Sequence, residues 1–304
     1  MARTQKNPLS FLSGFVQSRE IARVVATIDQ LSDAGAERSW LMKWSKADEK
    51  WVRFVVQWTA THISVLMNNG AYVYATGPKG KVAVLTPTGS SEEVIDASDD
   101  GPFSRGPLRD LRAIQGRLYV CGMARQVYRR EGPNQWTRRD EGVVLPKGIA
   151  RVVGFNAIDG LSEEDIYAVG FAGEIWQCKG SRWHQLDSPT NAVLHCVRAV
   201  RQDLIYAAGQ KGILLRGNGD EWGQIEQTAT AKDFWGMEWF KDSLFVCSDE
   251  AVYVLRDDGQ LENVSQGKLA TCGHLHANDD VMWSFGTKQV AWTENGVDWT
   301  DATP

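Results

Sequence analysis

Six short segments of the chain share one arrangement of hydrophobic and polar positions. Each begins with an aromatic residue, continues through small or β-favouring residues and ends after four positions in Gly or Ser. The segments are Tyr74–Gly77, Tyr119–Gly122, Tyr167–Gly170, Tyr206–Gly209, Phe245–Ser248 and Trp283–Gly286. A second alternating stretch follows most of them, and four copies then carry a tryptophan: Trp136, Trp183, Trp222 and Trp299. This pattern predicts a repeated unit of four short strands joined by glycine-containing turns.

The spacing of the repeat predicts the architecture. The aromatic residues that open the six segments lie 38 to 48 residues apart, and no helical pattern separates them. A period of about 40 residues is typical of β-propellers, whose blades are four-stranded antiparallel sheets. We therefore predict an all-β chain with a single β-propeller over residues 58–304, built from six blades or, as the alternative, seven.

The first 57 residues do not fit the repeat. Ser18 can cap a helix whose apolar residues share one face, and Gly35 follows its end. These apolar residues are Ile21, Val24, Val25, Ile28 and Leu31. The spacing predicts a short helical extension over about 18–33. The β-rich run Trp51–Trp58 then predicts a strand that closes the ring against the last blade, or part of a seventh, degenerate blade.

Composition is that of one globular domain. The chain has 304 residues, is 43% hydrophobic and contains no linker-like stretch. The first 20 residues lack the apolar core of a signal peptide, and no stretch is long and apolar enough to span a membrane. Five cysteines are scattered along predicted strands: Cys121, Cys178, Cys196, Cys247 and Cys272. An odd number of scattered thiols favours a reducing compartment, so we expect a cytoplasmic protein without a membrane partner.

Two of the repeats carry a family resemblance. Residues 162–175 and 202–215 resemble blades of bacterial propellers of the WD/YVTN/BNR-like superfamily. Glycines three residues before the outer tryptophans resemble a degenerate Asp-box turn: Gly180, Gly219 and Gly296. Some propellers of this kind stand beside secreted toxins as immunity proteins. The resemblance thus implies a non-catalytic protein that binds a toxin.

Catalytic patterns are missing from the sequence. There is no Gly-x-Ser-x-Gly elbow, no Cys/His pair at a suggestive spacing and no phosphate-binding loop ahead of a helix. The arginines do not recur at one blade position, as a carboxylate-binding cluster would require: Arg112, Arg125, Arg198, Arg216 and Arg256. We therefore predict no enzymatic activity and no cofactor. The alternative is a hydrolase or lyase with its site at the channel mouth.

One segment has the residue types of a metal site. Cys272, His274 and His276 alternate on the predicted innermost strand of the last blade, so they would point to one side. A thiolate and two imidazoles suit a borderline metal ion, but a fourth ligand is not apparent. We predict no bound metal and regard these three residues as the only candidates.

Acidic residues concentrate in the turns predicted to reach one face, which lie between first and second strands and between third and fourth strands. The net charge is −5 and the isoelectric point about 5.6. Turns between first and second strands carry Glu163, Glu164, Asp165, Asp203, Asp242, Asp279 and Asp280. Lysines fall in turns that reach the opposite face, among them Lys79, Lys211 and Lys288. The pattern predicts one acidic face; the alternative is that these residues only favour solvated turns.

We interpret the acidic face as a surface for a basic protein partner. The hypothesis is a non-catalytic immunity protein that neutralises a nuclease-type toxin or effector domain. The aromatic segment Phe234–Phe240 adds Trp235, Glu238 and Trp239 as candidate contacts, with filling of the core as the alternative for the tryptophans. The acidic isoelectric point and the absence of a Lys/Arg run disfavour nucleic acid as the partner. A general scaffold or assembly factor is a further alternative.

Overall fold

Seven four-stranded antiparallel sheets follow one another along the chain. The computed structural model describes residues 8–148 and 152–304. Within them, the first strands of consecutive sheets contact each other, and the first strand of the seventh sheet contacts that of the first. The sheets therefore close into a ring around a channel. The β-propeller prediction is confirmed with the alternative count of seven blades; the preferred count of six is wrong.

The first four blades lie between residues 9 and 186. Their strands are β1 (Leu9–Ser18), β2 (Ile21–Ile28), β3 (Ser39–Ser45), β4 (Lys50–Val56), β5 (His62–Met67), β6 (Ala71–Thr76), β7 (Lys81–Thr86), β8 (Gly89–Val94), β9 (Leu108–Ile114), β10 (Arg117–Gly122), β11 (Val127–Gly132), β12 (Gln135–Arg138), β13 (Phe155–Ser162), β14 (Asp165–Gly170), β15 (Ile175–Lys179) and β16 (Arg182–Leu186). In each blade the first strand is innermost, next to the channel.

Blades 5 to 7 complete the ring. Their strands are β17 (Leu194–Arg201), β18 (Leu204–Gly209), β19 (Leu214–Gly217), β20 (Trp222–Gln224), β21 (Gly236–Phe240), β22 (Ser243–Cys247), β23 (Val252–Leu255), β24 (Leu261–Asn263), β25 (Gly273–Ala277), β26 (Met282–Gly286), β27 (Val290–Thr293) and β28 (Thr300–Asp301). Helices are short: α1 (Asp29–Asp33), α2 (Pro102–Arg105) and the 3-10 turns Phe171–Gly173 and Gln210–Gly212. Over the described ranges, no helix has the length and apolar character that a membrane crossing requires.

The N-terminal segment is a complete blade. The helix predicted over 18–33 is wrong: residues 9–28 form a hairpin of β1 and β2, and only Asp29–Asp33 is helical. The spacing of apolar residues imitates a helix because β2 is buried on both faces. Its hydrophobic residues therefore form a near-continuous run and do not alternate with polar ones. The β-branched residues in that run favour a strand. The Trp51–Trp58 region supplies β4, the outer strand of blade 1, and not a strand of the last blade.

Blade 1 lacks the repeated sequence pattern because its aromatic residue lies on the first strand instead of the second. In blades 2 to 7 the aromatic anchor lies on the second strand, opposite a residue of the innermost strand. In blade 1 the corresponding pair is Arg23 on β2 and Phe15 on β1. The aromatic ring therefore lies on the innermost strand, and the six-copy pattern begins one blade late.

The hydrophobic core is divided among the seams between blades. Each of the seven buried clusters joins two neighbouring blades. Outer tryptophans reach back to the preceding blade: Trp183 Nε1 donates to the Arg139 carbonyl at 2.6 Å, and the Trp222 ring contacts that of Tyr167. The wedge between two radiating sheets is thus filled by large rings.

The seam between blades 1 and 7 closes the ring without a shared strand. Every sheet takes its four strands from one continuous stretch of chain. The Trp44 and Trp283 rings meet edge to face with centroids 5.0 Å apart, and Trp51 contacts Trp283 from a second side. Trp51 Nε1 also donates to the Ala302 carbonyl at 2.7 Å. Side-chain packing therefore holds the two ends of the chain together.

We expect Trp283→Ala to destabilise the protein by about 3–5 kcal/mol, because it opens a cavity where the ring closes. Trp283 is 1% exposed, whereas Trp235 is 46% exposed. The matched control Trp235→Ala should therefore shift the midpoint of urea unfolding only slightly. Equal losses of stability in the two variants would contradict the role assigned to this seam.

Candidate functional site

The strand register places one residue of each innermost strand opposite the aromatic anchor. In blades 2 to 7 these residues are Ser64, Arg112, Asp159, Arg198, Glu238 and His276. All six are polar or charged, although the innermost strands are otherwise rich in buried apolar residues. Because these strands surround the channel, the six residues form a polar layer across it.

Four members of this layer form a charge network. Arg112 Nε donates to Asp159 Oδ1 at 3.1 Å. Arg198 bridges two carboxylates, with Nη1 3.4 Å from Asp159 Oδ2 and Nη2 2.7 Å from Glu238 Oε1. The side chains of Asp159 and Glu238 are almost completely buried. The network therefore joins blades 3, 4, 5 and 6 across the channel.

Burial dominates the electrostatics of this network. It raises the pKa of Glu238 to about 7, against the opposing effects of Arg112 and the Trp239 N–H. Burial likewise raises the pKa of Asp159, which Arg112 counteracts. It disfavours charged Arg112, but Asp159 and Glu238 outweigh this effect and raise the arginine pKa. Arg112 thus remains charged, while the pKa of the Glu238 carboxyl lies near neutrality.

Side chains of the innermost strands, two of them in this layer, also accept hydrogen bonds from the innermost strand of the next blade. The donor–acceptor pairs are Ile158 N to Asp110 Oδ2 at 3.0 Å, Ala199 N to Asp159 Oδ2 at 3.0 Å, Val16 N to His276 Nδ1 at 3.2 Å and Ile63 N to Ser13 Oγ at 3.2 Å. Each pair satisfies a backbone donor at an edge that no other strand covers. The channel carboxylates therefore have structural partners.

The structure divides the three candidate metal ligands. Cys272 precedes β25 and packs in the apolar cluster of blades 6 and 7, where burial raises its pKa to about 12. His274 Nε2 lies 3.1 Å from the Gly14 carbonyl, and His276 accepts from the Val16 N–H. Both imidazoles thus bond to the backbone of blade 1. Among residues 8–148 and 152–304, no three His, Cys, Asp or Glu side chains are grouped to hold a metal ion.

A cavity of about 430 Å³ opens at one mouth of the channel. It lies at the face formed by second-to-third-strand turns and by the connections between blades, here called the connection face. Trp235 lines it, with its ring stacked on His195 at 4.2 Å between centroids. Further apolar side chains are exposed on this face: Leu12, Phe103 and Val152. The mouth combines aromatic and polar groups, and its described lining residues include no nucleophile–base pair within hydrogen-bond distance.

The predicted acidic residues lie at the opposite face, here called the turn face. They belong to blades 4 to 7, which are consecutive in the ring, and form what we call the acidic arc: Glu163, Glu164, Asp165, Asp203, Asp242, Asp279 and Asp280. Part of their charge is neutralised locally. Arg117 and Arg129 pair with Glu163, and Arg201 pairs with Asp203. Glu164 and Asp279 are exposed and form no ion pair within the described part of the chain.

The other three predicted contact residues do not join the acidic arc. Trp235 lies at the connection face, on the far side of the ring. Glu238 is completely buried in the charge network. Trp239 is half-buried and stacks on Tyr206 with ring centroids 6.4 Å apart. The structure therefore separates the ten predicted residues into the acidic arc, the channel residue Glu238, the seam residue Trp239 and the mouth residue Trp235.

Sequence reasoning missed the recurrence of two arginines. Arg112 pairs with the anchor Tyr119 and Arg198 with the anchor Tyr206, so both occupy the same position of their blades. The signal was present, because each arginine precedes its anchor by seven or eight residues. The shared blade position of the two arginines follows only from the strand register of the first hairpin in each blade.

Comparison with known proteins places the chain in a family. It is 35% identical over 300 residues to the immune protein Tsi7 of Pseudomonas aeruginosa PAO1, and the match covers 96% of both chains. The chain belongs to the Tsi7 family. No protein-family model matches it.

Solved structures of other proteins share the propeller fold of this member of the Tsi7 family. The WD40 propeller domain of Doa1 superposes with a TM-score of 0.67 at 9% identity, covering 96% of this chain and 92% of that one. YCF48 bound to D1 peptide gives 0.69 at 13% identity over 94% and 91%. YCF48 from Cyanidioschyzon merolae gives 0.65 at 11% identity over 93% and 94%. At these identities the likeness establishes the propeller fold alone.

We expect the protein to lose stability as the pH falls from about 6.5 towards 4.5. Burial, and then the charge of Arg112, lowers the pKa of His274 to about 3 and that of His276 well below its usual range. Burial also lowers the pKa of His62 to about 4. These imidazoles bind protons only on unfolding, each favouring the unfolded state by up to about 1.4 kcal/mol per pH unit. Glu238, with its raised pKa of about 7, offsets one of them.

Urea unfolding between pH 7.5 and 5.0 measures this effect. In the matched variant His274→Gln/His276→Gln, the amides keep a donor and an acceptor for Gly14 and Val16 but do not titrate. Its unfolding free energy should fall less steeply with acidification than that of the wild type. The same slope in both proteins would show that these histidines are not responsible.

Proposed function

We propose that this chain is an immunity protein that neutralises a toxin domain with a basic surface, and that it acts in the cytoplasm. The observation that carries the proposal is its 35% identity, over 96% of its length, to an immune protein. All five cysteines are free and buried, as suits a reducing compartment. The closed ring supports a binding role because it holds turns from several blades as one rigid surface.

The acidic arc is the surface that we assign to the toxin. Its residues come from four consecutive blades, so they form one continuous region of the turn face. Glu164 and Asp279 are exposed and have no ion-pair partner among residues 8–148 and 152–304. Complementary potentials accelerate the encounter of two proteins and select the partner.

A nuclease-type toxin fits this surface best. Enzymes that bind nucleic acid present lysines and arginines to the phosphate backbone. An acidic arc can occupy such a cleft and compete with the substrate. The proposal therefore predicts that toxin activity and immunity binding exclude each other.

The channel network gives little support to the alternative of a hydrolase. Asp159 accepts hydrogen bonds from Arg112 and the Ala199 N–H, and Glu238 from the Trp239 N–H. Asp159 thus joins blades 4 and 5, and Glu238 pairs with Arg198 of the neighbouring blade, so both carboxylates have a structural role in the ring. Nor does a general scaffold role explain the similarity to an immune protein.

Charge reversal on the acidic arc tests the proposed surface. The variant Glu164→Lys/Asp242→Lys/Asp279→Lys changes three exposed residues of the acidic arc, in blades 4, 6 and 7. We expect it to slow association with the toxin domain encoded in the neighbouring gene, identified by pull-down from the producing bacterium. The wild-type association rate should also fall with salt, because a Debye length of about 8 Å screens surface charges at physiological ionic strength.

The matched control makes the same change in net charge on the connection face. Glu141→Lys/Asp187→Lys/Glu226→Lys alters three exposed residues that follow the outer strands of blades 3 to 5. This variant should associate with the toxin domain like the wild type. If only the control loses binding, the connection face is the toxin surface. If the wild type itself does not bind, the immunity proposal is wrong.

A further inference from the structure

The outer strand of blade 1 differs from those of the other blades. β4 is seven residues long and exposes Val52, Phe54 and Val55 at 65, 38 and 38%. β8 is mostly polar, and the remaining outer strands have only two to five residues. β4 pairs with β3 on one side, and its other edge is not covered by any strand of the described chain. A long, apolar, open edge is a surface that another strand can extend.

A groove lies beside this edge because blade 2 lacks an outer tryptophan. The register assigns Ser90 of β8 to the position whose side chain faces the preceding blade. The counterparts in the other blades are Trp51, Trp136, Trp183, Trp222, Leu261 and Trp299. Serine is thus the single small residue at a position that otherwise carries a large apolar side chain.

The groove separates the outer parts of blades 1 and 2. Trp58 Nε1 donates to Glu92 Oε1 at 2.8 Å, which shows that residues at alternate positions of β8 face blade 1. A cavity of about 440 Å³ lies between β4 of blade 1 and β8 of blade 2, and its lining includes Phe54, Ser90 and Ser91. Its apolar wall is the side of β4 that a tryptophan at position 90 would cover.

The charges around the groove indicate what it can accept. Lys81 lines the groove, and Lys50 lies on β4 on the same side as Phe54. The carboxylate in the groove wall, Glu92, already accepts a hydrogen bond from Trp58. Arg53 points to the other side of β4, where it lies over the Trp40 ring. An incoming strand with a carboxylate would complement the two lysines. A second copy of the chain would not, because antiparallel self-pairing centred on Arg53 places two arginines opposite each other.

We propose that β4 and the groove at Ser90 bind an extended segment of the toxin partner. The segment adds a strand to β4, inserts a large apolar side chain beside Phe54 and places a carboxylate near Lys81. Alternate residues of an added strand point to one side, so a single segment can satisfy both sites. The inference rests on the proposed immunity function, to which it adds a second contact with a different physical basis.

Ser90→Trp tests the proposal by filling the groove from within. We expect this variant to unfold at the same temperature as the wild type or higher, since the tryptophan restores the packing seen in other blades. Its affinity for the catalytically inactive toxin domain of the neighbouring gene should fall at least about tenfold, mostly through faster dissociation. Ser90→Ala leaves the groove open and should bind like the wild type.

Phe54→Thr provides an independent test, because it removes the apolar wall without filling the groove. It should weaken toxin binding, and hydrogen exchange should show that β4 amides are protected in the wild-type complex. Unchanged affinity in both Ser90→Trp and Phe54→Thr, or unprotected β4 amides, would overturn the groove proposal while leaving the immunity function intact. Failure of the wild type to bind the toxin would instead refute the immunity function. A toxin-independent dimer that Ser90→Trp abolishes would identify a second copy as the occupant and also overturn the proposal.

Discussion

The ring depends on how the open edge of each innermost strand is satisfied. Such a strand pairs with one neighbour in its own blade, so backbone groups on its other side face the next seam without a strand to meet them. A buried N–H without a partner costs about 1–3 kcal/mol. Asp110, Asp159 and His276 accept hydrogen bonds from the following blade, and this continues from blade 7 to blade 1. The ring is therefore closed by polar hydrogen bonds next to the channel and by packing of aromatic side chains further out.

This requirement explains the charge in the channel wall. Side chains that accept from backbone N–H groups must be polar, yet their position removes them from bulk water. Arg112 and Arg198 compensate the buried carboxylates of Asp159 and Glu238 and connect four blades. Removing one partner of such a network leaves an uncompensated buried charge, which typically costs several kcal/mol. A cluster whose residue types suggest catalysis is thus accounted for by the architecture.

A rigid ring leaves its outer features free for recognition. The acidic arc is distributed over four blades and its charges act at long range, so in our proposal it governs the encounter with a partner. The groove at Ser90 is local and apolar, so in our proposal it governs how long a complex lasts. The two surfaces belong to different parts of the ring, since one lies at its turn face and the other at the rim of blades 1 and 2. An immunity protein of this form would combine fast capture with slow release.

The sequence by itself determined the propeller, the four-stranded blade and the acidic turns of blades 4 to 7. Those features depend on local alternation, aromatic spacing and turn chemistry, which are written in contiguous residues. The blade count and the N-terminal hairpin depended on tertiary structure, because burial of β2 on both faces removes the alternation that marks a strand. The ion pair of Arg112 with Asp159 and the groove at Ser90 also depended on tertiary structure, because each is formed between two blades. Their physical basis is proximity across a seam between blades, and residues as distant in sequence as Arg112 and Asp159, 47 positions apart, carry no local trace of it.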